Sequence, residues 1–167
     1  MTRPHSNSAQ TLIPFAITIY RDRGAGAVQL GELIADYLNE VDPISPGQWT
    51  AWNEQSLHER LNPKHHTPQK PNHPISERSI LSFIAHGAVI LVDNSAHLAT
   101  SDHPRTFNVR IAGSDSPHAA TTRFHLTVNT RRMSQHTAVR VIADSALEWA
   151  IQPLQTIPPH PISDTSP

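Results

Sequence analysis

Three apolar stretches follow one another between Gly87 and Thr130: Ala88-Val-Ile-Leu-Val92, Phe107-Asn-Val-Arg-Ile111 and Phe124-His-Leu-Thr-Val128. The second and third alternate strictly. Phe107, Val109 and Ile111 fall on one side with Asn108 and Arg110 on the other, and Phe124, Leu126 and Val128 oppose His125 and Thr127. A period of two is that of a strand with one dry face and one wet face. The dry face of such a sheet must be covered, and two helix-period segments are available to do it. Leu30, Leu33, Ile34, Tyr37, Leu38 and Val41 make one stripe, ended by Asp42-Pro43. Val139, Ile142, Ala146 and Trp149 make a second, behind a cap at Ser134 or Thr137.

The remaining segments complete a layout. Phe15, Ile17 and Ile19 alternate with Ala16, Thr18 and Tyr20, which predicts a first strand entered through Pro14. Trp49, Trp52, Leu57 and Leu61 suggest a short helix over 47–61. Residues 62–74 hold Pro63, Pro68, Pro71 and Pro74 with His65, His66 and His73, a composition that denies a regular ladder and predicts an extended loop. Residues 76–92 read either as a helix capped by Ser76 and ending near Gly87, then a strand, or as one long strand. The expected fold is α+β: a largely antiparallel sheet of about four strands with helices packed on one face, in the order β-α-(loop)-β-β-β-α. Residues 1–10 form a polar, disordered tail, 11–153 a single domain, and 154–167 a Pro-rich tail.

Composition narrows the function classes. A chain of 167 residues is long enough to bury roughly 70% of its unfolded surface in one core. It has no cysteine, so disulfides, thiolate nucleophiles and Cys-based zinc sites are excluded. With 13 basic and 14 acidic residues, and lysine only at positions 64 and 70, it lacks the cationic excess of a nucleic-acid binder. No apolar leader opens the sequence and no run of 18 apolar residues occurs, so a soluble cytoplasmic protein with no membrane partner is expected. Twelve histidines should turn the net charge positive below neutrality.

No catalytic, metal or cofactor motif is complete. Arg23-Gly-Ala-Gly26 resembles a phosphate-cradling turn, but Gln29 stands where the third glycine belongs, and an antiparallel sheet is the wrong setting. His65, His66 and His73 have no nearby carboxylate, and His58-Glu59 lacks the second histidine of a zinc-protease helix. Ser95 in Asp93-Asn-Ser-Ala-His97 and the Ser114-Asp-Ser116 turn lack a nucleophile elbow and read as hairpin loops. Catalytic, metal and cofactor assignments are therefore none. An enzyme remains the alternative, with His86, His97 or His125 meeting a carboxylate or serine only in the fold; an accessory subunit of a larger assembly is a third reading. For partner binding the candidates are Trp49, Trp52, Arg110 and Arg123, because aromatic and guanidinium groups dominate interface energies. Trp49 and Trp52 have a core role as their competing reading. Arg105, Arg131 and Arg132, with Asn108 and His125, would extend a cationic wet face.

One resemblance rests on this element order. The Phe15–Tyr20 strand, the Leu30–Val41 helix ending in Asp42-Pro43, the Trp49 segment, the meander from Gly87 and the last helix with Val139-Arg-Val-Ile142 and Glu148-Trp149 resemble small immunity proteins of bacterial polymorphic-toxin and type VI secretion systems. The likeness, to the layout of immunity family fifty-two, spans residues 12–152. It implies a non-enzymatic cytosolic protein that binds and neutralises a cognate toxin.

Overall fold

The computed structural model describes residues 15–21, 27–61, 75–92, 96, 100, 103–112 and 124–151. The expected tails and the Pro/His segment 62–74 lie outside the described residues. Five strands and four helices are seen among them: β1 (Ala16–Arg21), α1 (Ala27–Val41), β2 (Thr50–Asn53), α2 (Glu54–Leu61), α3 (Glu77–Ile84), β3 (Val89–Val92), β4 (Thr106–Ala112), β5 (Leu126–Asn129) and α4 (Gln135–Ala150). The strands form one sheet in the order β2-β3-β1-β4-β5.

Every pairing in that sheet is parallel, which overturns the antiparallel meander. β3 and β4 are not neighbours at all; β1 lies between them, with Ala16 level with both Val89 and Thr106. The physical reason is in the connections. The segments 93–105 and 113–125, each of 13 residues, separate β3 from β4 and β4 from β5. Hairpins close in about two to five residues, whereas a parallel crossover needs about a dozen or more. The alternating patterns correctly signalled strands and carried no information on their direction. The hairpin reading of 93–97 and 114–117 falls with the meander, because those segments join strands that run the same way.

A parallel sheet is covered on both faces, and this one is. On the first face α1 and α4 bury Leu30, Ile34, Leu38, Val139 and Ile142 against Ile17, Ile19, Ile90, Phe107, Val109, Ile111 and Val128. On the second face α2 and α3 bury Leu57, Ile80 and Ile84 against Ala16, Val89 and Leu91. Helices on one face only is thus corrected, although the expected pairing of the first and last helices on a shared face holds. Phe124, expected beneath them, instead meets Tyr20, with ring centroids 5.6 Å apart. The wet face expected for β4 is also absent: Asn108 is fully buried and Arg110 is 7% exposed.

Local chemistry explains the ends. Ser76 and Ser134 cap α3 and α4 by accepting the N–H groups of Ser79 and Thr137. Residues 76–92 therefore resolve into helix then strand. Between them Gly87 (φ 75°) and Ala88 (φ 50°) both adopt left-handed backbone, and Ala88 is held there by its N–H to the Phe15 carbonyl at 3.1 Å. Residues 47–61 contain a strand as well as a helix, because Thr50–Asn53 adds to the edge of β3 before α2 begins. Gly31 lets α1 lie close on the sheet: a methyl at that position would come 2.5 Å from Val92 Cγ2, on a branched side chain with little freedom to move.

Candidate interaction surface

The residues expected to bind a partner are dispersed. Trp49 is 4% exposed and belongs to the first-face core, edge-on to Phe15 at 5.1 Å. Its indole N–H donates to Asp42 Oδ2 at 2.7 Å, and its backbone exchanges two hydrogen bonds with the Asn39 amide. Trp52, half-buried on β2, packs on the other face against Phe83 at 5.1 Å. Arg110 lies in β4, level with Tyr20 and Thr127. Arg123 lies outside the described residues, as do His65, His66, His73, His97, Ser95 and the 114–116 turn. Arg105, Arg131 and Arg132 are exposed. The fold does not gather the described members of this set into one surface.

The polar side chains of the second face are engaged with one another. Asn108 Oδ1 accepts from the Thr18 hydroxyl at 2.5 Å, and Asn108 Nδ2 donates to the Thr100 carbonyl at 3.3 Å. The single Thr100 hydroxyl proton is shared between Asn108 Oδ1 at 3.1 Å and the Ala96 carbonyl at 2.9 Å. This network ties residues 96 and 100 to the middle of the sheet. It is a structural pin, with each amide and hydroxyl already used.

Histidine chemistry is similarly committed. His125 Nδ1 accepts the Asn108 N–H at 2.8 Å, while the ring stacks on Phe107 and leans on Trp149. The residue as a whole is exposed, yet burial of its ring between these aromatics pushes its pKa below 6.5. A proton on Nδ1 would also displace the N–H it accepts. His103 is held low too, first by burial and then by Arg105. His86 is exposed and bonds the Ser82 carbonyl through Nδ1 at 2.9 Å. Among the described residues no three His, Asp or Glu side chains are placed to hold a metal. The glycine turn at 23–26, itself outside the described residues, joins a parallel strand to a helix, so the antiparallel objection to it is removed; Gln29 still occupies the third glycine's place.

The surface that does gather unusual residues is the outside of the α1/α4 layer. The exposed large hydrophobics among the described residues are Val28, Leu33, Val41, Val141 and Ile151, and all belong to α1, α4 or the residue capping α4. On α1, Leu30–Ile34–Leu38 forms the buried row, and Leu33–Tyr37–Val41 forms a second row beside it at the same i, i+4, i+8 spacing. Leu33 and Val41 are 36% and 40% exposed. The Tyr37 hydroxyl donates to Asp144 Oδ1 at 3.1 Å, so this second row faces the outer side of α4. Sequence reasoning assigned both rows to the core. The sequence carries no signal against that reading, because two adjacent rows are the ordinary apolar stripe of a core-facing helix.

No helix in the described residues is long and apolar enough to cross a membrane. Compared with known proteins, the chain matches no family model and no curated protein.

Proposed function

We propose that this chain is a binding protein: a non-enzymatic, cytoplasmic immunity protein that neutralises a cognate bacterial toxin by stoichiometric association. The observation that supports this reading is the concentration of exposed apolar side chains on one helical layer, with Ile151 at 61% exposure and four others at 36–40%. Isolated exposed hydrophobics are ordinary; that those among the described residues all sit on the α1/α4 layer favours an interaction surface there. Trp49 and Arg110 offer a partner almost no surface, so the anchors move from that set to α1 and α4.

The test is a titration against the protein encoded by the adjacent gene, in cells and with purified components. Toxicity should fall to zero at a one-to-one ratio, and the complex should persist through gel filtration. Protection that continues far below equimolar amounts, or substrate turnover by the purified chain alone, would replace the inhibitor with an enzyme.

A further inference from the structure

We propose that the outer groove between α1 and α4 docks a basic protein surface, a partner carrying lysine or arginine around an apolar centre. This deepens the binding reading above and rests on it.

Charge is the first support. Glu32, Asp36 and Glu40 form an exposed third row on α1, again at i, i+4, i+8, and Asp144 and Glu148 are exposed on α4. Against these five carboxylates the two helices carry one guanidinium, Arg140, and α1 has no basic residue. The near-neutral total of 13 basic and 14 acidic residues conceals this: the rest of the chain keeps 12 of the cations and nine of the acids. None of the five carboxylates has an ion-pair partner among the described residues.

Helix electrostatics is the second. Both helices follow strands of a parallel sheet and pack on each other, and neither has a basic residue in its last turn. Glu40 and Glu148 lie in those last turns, where the macrodipole is already negative. Like charges at i, i+4 along Glu32–Asp36–Glu40 repel as well. These placements work against the isolated helices, and an opposing cationic surface relieves both penalties at once.

The apolar residues decide what kind of cation. On α4, Val141, Asp144, Glu148 and Ile151 recur at i, i+3, i+7, i+10 and so share one outward row. With Leu33, Tyr37 and Val41 across from it, the groove alternates apolar and acidic groups. A metal ion would use only the carboxylates, and no set of three is placed to hold one among the described residues. A protein surface uses both, with apolar contact at the centre and charge pairs at the rim steering the encounter.

The experiment uses the full chain and, as probe, the purified product of the adjacent gene, with affinity measured by calorimetry at about 50 and about 300 mM salt. The double variant Glu40→Lys/Glu148→Lys should bind at least about tenfold more weakly, with a Tm equal to or above wild type because the dipole penalty is gone. Leu33→Ser/Ile151→Ser should weaken binding with little salt dependence, and Glu77→Lys on α3 should bind as wild type does. Wild-type affinity should fall at the higher salt. If wild type binds and both double variants bind equally well, the groove is not the docking surface although the binding reading stands. If wild type does not bind or protect, that reading fails and this inference with it. A wild-type dimer abolished by Leu33→Ser/Ile151→Ser would make a second copy the occupant, against a basic partner.

Discussion

The two faces of the sheet solve burial differently. Beneath α1 and α4 the apolar surface is continuous from Ile90 on β3 through Ile17 and Ile19 to Phe107, Val109 and Val128. The opposite face is apolar over Trp52 of β2, β3 and the start of β1, where α2 and α3 sit, and turns polar over the rest of β1 and β4 with Thr18, Asn108 and Arg110. On β5 the same face reaches water at Thr127 and Asn129. The first face is held by area; the second, beyond α3, by directional hydrogen bonds to residues 96 and 100. Apolar contact tolerates small shifts, whereas a buried amide with its partners fixed admits one register.

That contrast can be broken most forcefully from the apolar side. Ile142 is fully buried in the first-face core, and Ile142→Ala should cost about 2–5 kcal/mol in chemical denaturation. A loss below about 0.5 kcal/mol would show that the face is not held by packing. The polar side should answer less strongly: Asn108→Ala takes the acceptor from the buried Thr18 hydroxyl and the side-chain donor from the Thr100 carbonyl, while the Thr100 hydroxyl keeps the Ala96 carbonyl, and should cost about 1–3 kcal/mol. An increase in stability would mean that the amide network is dispensable. Thr18→Val keeps the shape and removes one donor, so its expected cost is about 0.5–1.5 kcal/mol. Combining it with Asn108→Ala should give less than the sum of the two, because they share a bond.

The smallest effect concerns pH. His125 accepts the Asn108 backbone N–H while its ring lies on the first face against Phe107 and Trp149, and its folded pKa lies below 6.5. Its contribution to stability is therefore complete above about pH 6.5 and is lost as pH falls through the folded value, since the unfolded chain takes up the proton first. NMR titration should place the His125 midpoint below 6.5. A midpoint above it would mean that Nδ1 does not hold the backbone N–H.

Much of the secondary structure was legible because alternation and helical stripes are local signals. Phe107–Ile111 and Leu30–Leu38 announced themselves by period alone. Strand direction was legible only through connection length, which the hydrophobic pattern does not contain. β2 was missed because a four-residue strand holding Trp52 between Ala51 and Asn53, with Thr50 exposed, has no periodicity to detect. Asn108 and Arg110 read as wet because alternation shows which residues share a face, and cannot show that a second cover buries the other. The proposed docking groove was hidden in the opposite way: Leu33 and Val41 matched the core stripe too well to be suspected of facing outward.

The parallel sheet also sets an order of assembly. β1 lies at its centre, and its partners come late: Ala16 waits for Val89 on one side and Thr106 on the other. At synthesis rates of about 5–20 residues per second, the second neighbour follows roughly 5–20 s after the first strand is made. Until β3 is made Ile17 and Ile19 are in a nascent chain with neither flank paired, and until β4 is made at most one flank can be. Long-range pairings of this kind delay folding and lengthen exposure to aggregation. During that wait the growing chain depends on chaperones or on early cover from α1, whose Leu30–Ile34–Leu38 row is complete some fifty residues before β3 begins.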